Sequence, residues 1–452
     1  MSLTRQLAQF IAGLGYDDLP KEAIVQAKRA IMDTVGVALA GCREEGPSIL
    51  VALARERGAE GPAPLWGWPL ALPAPQAALI NGASAHAIDY DDVNVNMRGH
   101  PSAPVLPTAF ALCHELGLDG RHLILAFVLG IEVEAKLGAI MGGRHYALGW
   151  HPTSTLGTLG AAAASAKLLG LDVAKVEMAL GIAASMASGV RANFGTMTKP
   201  LHVGLAARNG VEAALMASRG FTASANALEA EDGFLATFLG GRYEGSPLPP
   251  LGQPFDIVHP GLGQKRYPCC YATHRALDAA LELAPKVKAS EIAKVIVRVS
   301  RGTLMPLQRE RPRTGLEGKF SMEYCVATAL LDGRVAMSSF TDEAVSRPEV
   351  DRLMDLVHVE EGPEDGDPSQ MWAEVAVQLK SGQSKSLRVD VAKGDPRRPL
   401  TWEELAEKFR DCAYTCLPPD QVEEALDLFS HLEDVESLDR LAKILQGKGG
   451  DI

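Results

Sequence analysis

The chain has 452 residues, 47% hydrophobic and 22% charged, a globular balance that excludes a disordered chain and points to two or three domains. No run of about 18 uncharged apolar residues occurs, so no membrane partner is expected. A net charge of −12 argues against a nucleic-acid partner while allowing a small anionic substrate.

The opening MSLTRQLAQFIAGLGYDDLP has a short apolar run but no small-residue cleavage site, so no export is expected. Residues 21–41 place Ile24, Ala27, Ile31, Val35 and Ala38 on one helical stripe, with Gly41 as the expected cap. Helical runs follow at about 74–87, 105–117, 121–139, 153–169, 173–189 and 203–219. Many are rich in alanine and glycine, which lets helix backbones approach closely. The reading is a large all-helical domain over 1–260.

Residues 242–265 are rich in proline and glycine and read as a connection. Beyond them KVIVRVSRG (294–302), WAEVAVQLKSG (372–382) and KSLRVDVAKG (385–394) alternate apolar and polar residues, the last two as a hairpin. Helical stretches at about 271–285, 320–332 and 347–357 lie between them. This predicts a smaller α+β domain over 266–395. The tail returns to helix, and residues 400–452 are expected to complete the first domain. The fold class is therefore mainly α, with a large helical domain and a smaller α+β one.

The seven cysteines form no CxxC pair and read as reduced thiols of a cytoplasmic protein. No GxGxxG, GK[ST], GxSxG, HExxH or EF-hand spacing is present, so no cofactor and no metal is expected, although Asp89, Asp91, Asp92 and His100 could in principle ligate. What remains is proton-transfer chemistry on an anion.

Three basic residues directly precede prolines near helix starts: His100-Pro101, His151-Pro152 and Lys199-Pro200. Proline favours the first helical position, so the residue before it belongs near the cap. A cation is unfavourable there unless an anion joins it, when free N–H groups, helix dipole and side chain converge on one carboxylate or phosphate. Chance placement of exposed basic residues is the plainer alternative. His202 follows Lys199 by three residues and can face the same way. Lys265, Arg266, His274 and Arg275 form a further basic group in QKRYPCCYATHRALDAAL, which reads equally as a solvated turn entering a helix. Tyr324 stands in an otherwise apolar helix, where a packed aromatic with a satisfied hydroxyl is the plainer reading.

The segments HAIDYDD…GHPSAPVLP, GWHPTSTLG, KPLHVGLAARNGVEAALMASRGFTA, KRYPCCYATHRALDAA and KFSMEY, in this order, resemble the MmgE/PrpD family from about residue 5 to 430. That family includes 2-methylcitrate dehydratase, cis-aconitate decarboxylase and iminodisuccinate epimerase. The resemblance implies a helical domain plus an α+β domain, a homodimer, no cofactor and a small carboxylate substrate. It carries catalytic roles to Asp89, His100, His151, Lys199, His274 and Tyr324. His202, Lys265 and Arg266 are substrate-binding candidates from their placement beside these residues in the sequence, not from the resemblance. Val93 departs from the threonine that follows the DxDD-like motif in the dehydratase and decarboxylase, and the 93–99 loop also differs. The implied activity is a lyase of the dehydratase or decarboxylase type; a dicarboxylate epimerase and a non-catalytic carboxylate binder are the alternatives.

Overall fold

Small residues at helical spacing dictate how the N-terminal half of the chain packs. The computed structural model describes residues 1–241, 243–308, 310–362 and 371–447. Residue 242 of the connecting segment, residues 309 and 363–370 of the stretch read as α+β, and tail residues 448–452 lie outside the described residues. The chain forms two compact units: one comprises Met1–Ala87, Asp91–Gly263 and Thr401–Ile452, the other Ile88–Tyr90 and Gln264–Leu400.

The first unit is helical. Its helices run α1 (Leu3–Gly13), α2 (Lys21–Gly41), α3 (Glu45–Glu56), α4 (Ala74–Ala87), α5 (Ser102–Glu115), α6 (Gly120–Ala147), α7 (Pro152–Leu168), α8 (Val173–Met186) and α9 (Thr198–Ser218). α9 packs on α4 and α7, and α7 packs on α5 and α6. Glycine makes the closest of these approaches possible. A Cβ on Gly204 of α9 would lie 2.2 Å from the Leu79 carbonyl oxygen of α4, and one on Gly210 would lie 2.4 Å from Ala161 Cβ of α7. Helices Trp402–Ala413 and Pro419–Ser430 of the tail pack on α2, where Lys408 and Asp33 form a buried pair at 2.8 Å.

Three details differ from the sequence pattern. α2 runs through Gly41, and Cys42 takes the cap position. Gly41 is small for another reason: its Cβ would lie 2.3 Å from the Ser84 carbonyl oxygen. α5 begins at Ser102 rather than 105, since Pro104 falls in the first turn, where the missing N–H has no intrahelical partner to lose. α6 extends to Ala147, past the expected 139, across a kink at Gly142 (φ 55°, ψ −155°).

The second unit holds a four-stranded sheet in the order Val357–Glu361, Ile292–Val299, Ala373–Leu379, Ser384–Val389. The last two strands form the expected antiparallel hairpin, with Val375 opposite Leu387. The first is parallel to Ile292–Val299 and falls where the sequence pattern ends a helix at 357. Helix Pro348–Met354 stops earlier, and the five-residue edge strand with mostly exposed side chains carries too little alternation to be legible. Val295, Val297, Val299, Val375 and Val377 are fully buried, and helices His274–Leu283 and Met322–Asp332 join them in one core. Among the described residues, no helix is long and apolar enough to cross a membrane.

Candidate active site

In the first unit, helix starts deliver the predicted side chains. His151 is the N-cap of α7, in extended backbone, and Pro152 is the first helical residue. Its carbonyl accepts from Ser154 N at 2.9 Å and Thr155 N at 3.1 Å. Lys199 does not precede its helix as expected: α9 begins at Thr198, so Lys199 and Pro200 lie inside the first turn. His202 follows one turn on. His100 stands two residues before α5, and its backbone N–H donates to Thr153 Oγ1 of α7 at 3.2 Å.

These residues meet. His151 Nδ1 lies 3.2 Å from His202 Nδ1. Phe194 packs edge-on against the His151 ring at 4.9 Å, and Lys199 Nζ lies 5.3 Å from the Phe194 ring centre. Gly189 (φ +114°) makes room beside them, since a Cβ there would lie 2.8 Å from Ser154 Cβ and 3.4 Å from His202 Cγ.

A histidine to which the sequence motifs give no role completes the group. His86, in the last turn of α4, has its ring 4.5 Å from that of His100 and 5.9 Å from that of His151. Its only sequence signal is a polar ring in an alanine helix, five residues before an acidic pair.

That acidic pair is buried. Asp91 Oδ2 lies 2.8 Å from His86 Nδ1. Asp92 accepts from Ser102 N at 3.2 Å and Ser102 Oγ at 2.5 Å, holding the start of α5. Its carbonyl oxygen accepts from His100 Nδ1 at 2.9 Å. The departing 93–99 loop is closely bonded: Val93 pairs with Gly263, Asn94 pairs with Gly99, and Asn94 Oδ1 accepts from Met97 N at 2.9 Å.

Crowding sets the charges. Burial, then His86, Lys199, His202 and His100, push His151 well below the ordinary imidazole range. Burial, then His86 and Lys199, bring His202 down to about 4. Both rings are therefore neutral at neutral pH, bases rather than the cations the helix-start pattern suggests. Across the Nδ1–Nδ1 contact one ring donates and the other accepts, so their Nε2 atoms differ: one carries a proton and the other a lone pair. Burial pushes Asp92 up to about 7, with its Ser102 hydrogen bond opposing and Asp91 adding. Buried Glu134 of α6 rises well above the carboxylate range through burial and then Asp92.

The second unit holds the other candidates. Asp89 adopts φ +55°, a conformation aspartate tolerates better than most residues. Fully buried Lys265 donates to Asp89 Oδ2 at 3.0 Å and to its carbonyl oxygen at 2.6 Å. His274 Nε2 donates to the Cys269 carbonyl at 3.3 Å, and its ring lies between Tyr267 and Tyr271, each 5.1 Å away. Arg266 is exposed, and its carbonyl accepts from the Tyr90 hydroxyl at 2.8 Å. The Tyr324 hydroxyl donates to the Ser339 carbonyl.

The likeness to known proteins extends along the whole chain. The family model for the MmgE/PrpD N-terminal domain matches residues 5–245, and that for the C-terminal domain matches residues 267–434. Human cis-aconitate decarboxylase is 34% identical over 99% of this chain and 95% of its own length. The mouse cis-aconitate decarboxylase is 33% identical over 99% and 94%. That of Aspergillus terreus is 30% identical over 98% and 94%. Full-length likeness to decarboxylases makes this protein an enzyme of the lyase kind. The chain belongs to the MmgE/PrpD family.

Proposed function

We propose that the protein is a lyase of the decarboxylase or dehydratase type that acts on a small tricarboxylate, with cis-aconitate as the first compound to test. The observation that carries this reading is the group of buried imidazoles and Lys199 at the starts of α7 and α9 in a chain alignable with decarboxylases along its full length. Helix-start N–H groups and the Lys199 side chain suit a carboxylate.

Loss of carbon dioxide breaks a carbon–carbon bond and leaves its electron pair on carbon, delocalised into a neighbouring carboxylate. Loss of water begins by taking a proton beside a carboxylate and builds the same charge. Lys199 and the helix N-termini would stabilise that charge, and a histidine would deliver or remove the proton. His151 and His100 are the proposed acid–base groups. His274 is a further proposed catalytic residue on its motif match; Asp89 and Lys265 are proposed to shape the segment that carries Asp89. Work without a cofactor, a homodimeric assembly and a cytoplasmic location belong to the same reading; light scattering on the purified protein checks the assembly.

The test is incubation with cis-aconitate, citrate and 2-methylcitrate in deuterium oxide, followed by proton NMR and carbon dioxide release. New alkene signals or carbon dioxide from one compound support the reading and identify the substrate. Exchange and inversion of an amino- or iminosuccinate without elimination would replace it with an epimerase.

A further inference from the structure

Asp91 stands between two histidines, and the acid–base roles proposed above do not use it. Its Oδ2 atom lies 2.8 Å from His86 Nδ1 and 3.4 Å from His100 Nδ1. His100 Nδ1 is also 2.9 Å from the Asp92 carbonyl oxygen. A carbonyl oxygen can only accept, so Nδ1 of His100 carries the proton. Nε2 of His100 then bears the lone pair whenever the ring is neutral. An ionised Asp91 fixes His86 in the same tautomer. His86 is buried in the last turn of α4, where the helix C-terminus favours a cation.

We infer that His86 and Asp91 form a positioning pair for His100: Asp91 holds the ring with Nε2 as its basic nitrogen, and His86 regulates how much of the carboxylate's charge His100 feels. The catalytic consequence rests on the lyase reading. With His86 neutral, Asp91 stabilises protonated His100 and makes it the stronger base. With His86 protonated, the carboxylate's charge is divided and His100 is the weaker base. One oxygen shared by two rings 4.5 Å apart couples their protonation directly. Other charged or titratable groups face the cluster. They include His151 from α7, Lys199 and His202 from α9, Asp92 beside Asp91, Asp33 from α2 with its Lys408 partner, and Glu134 from α6 beside Asp92. They set a common background that single changes in the pair leave in place.

The test is a pH titration of the full-length protein labelled with 15N-histidine, with the His100 signals assigned by their loss in His100→Gln. The wild-type ring is expected in the Nδ1–H tautomer. Asp91→Asn is expected to weaken the proton affinity of His100 about tenfold, and His86→Asn to strengthen it by a similar factor. The acidic limb of kcat/KM should move in the same two directions while KM stays within about threefold. A wild-type His100 in the Nε2–H tautomer would overturn the inference without any variant. So would a titration midpoint that His86→Asn leaves unmoved. If the tautomer and both shifts appear but no tricarboxylate is turned over, the lyase reading fails and the positioning pair stands.

Discussion

Each unit holds one buried polar cluster among the candidate residues, and the two clusters are built in contrasting ways. In the second, opposite charges meet: Lys265 lies 3.0 Å from the Asp89 carboxylate and 2.6 Å from its carbonyl oxygen. In the first, like groups crowd together, with His86 and His100 rings 4.5 Å apart and His151 and His202 nitrogens at 3.2 Å. The opposite-charge pair compensates charge and fixes a backbone segment. The crowded histidines hold His151 and His202 neutral, ready to accept protons, at a cost in folding stability below neutral pH. Burial alone does not mark a site; the sign of the neighbours does.

The contrast breaks most directly at His151. His151→Ala is expected to lower kcat/KM on the order of a thousandfold, with Tm within about 2 °C of wild type. Near-wild-type turnover would remove the histidine cluster from the chemistry. At the opposed-charge pair the expected loss is in stability. Lys265→Ala leaves Asp89 buried without its ammonium, and urea unfolding should show a loss of about 3–5 kcal/mol. A Lys265→Met, Asp89→Asn double variant should recover much of it. If Lys265→Ala instead unfolds like wild type and loses only activity, the pair belongs to the chemistry.

His202 gives a smaller effect with a defined direction. The unfolded chain takes up its proton near 6.5, while the folded protein does so near 4. Stability is therefore lost as pH falls from about 6.5 through about 4, by roughly 3 kcal/mol. His202→Asn should flatten that decline in a series of Tm measurements, and an unchanged slope would contradict the assignment. The smallest effect concerns Tyr324. Tyr324→Phe removes the hydrogen bond to the Ser339 carbonyl and should cost about 1 kcal/mol, with kcat within about threefold. A hundredfold fall in kcat would show that the hydroxyl takes part in catalysis.

Much of the fold is legible in local pattern. α2 and α4 occupy the spans their apolar and small residues mark, because helix periodicity is a property of neighbouring residues. The hairpin of Ala373–Leu379 and Ser384–Val389 follows from alternation and a short turn. The strand Val357–Glu361 does not, because its partner Ile292–Val299 lies some sixty residues earlier and only that pairing makes it a strand. Gly41 shows the same limit. Position at a helix end suggests a cap, whereas the requirement is the Ser84 carbonyl of another helix.

The candidate site divides along the same line. The sequence by itself determined that His100, His151 and Lys199 sit near helix starts, since proline restricts the backbone beside it, and it determined which residues match the family motifs. Tertiary structure decided the rest. It brought His86 to His100 and His202 to His151, assigned Asp92 to the start of α5 and Asp91 to two imidazoles, and turned Tyr324 toward Ser339. The reason is physical. A proline acts on its immediate neighbours through sterics, but an imidazole's charge and tautomer depend on desolvation and on groups brought within a few ångströms from elsewhere in the chain.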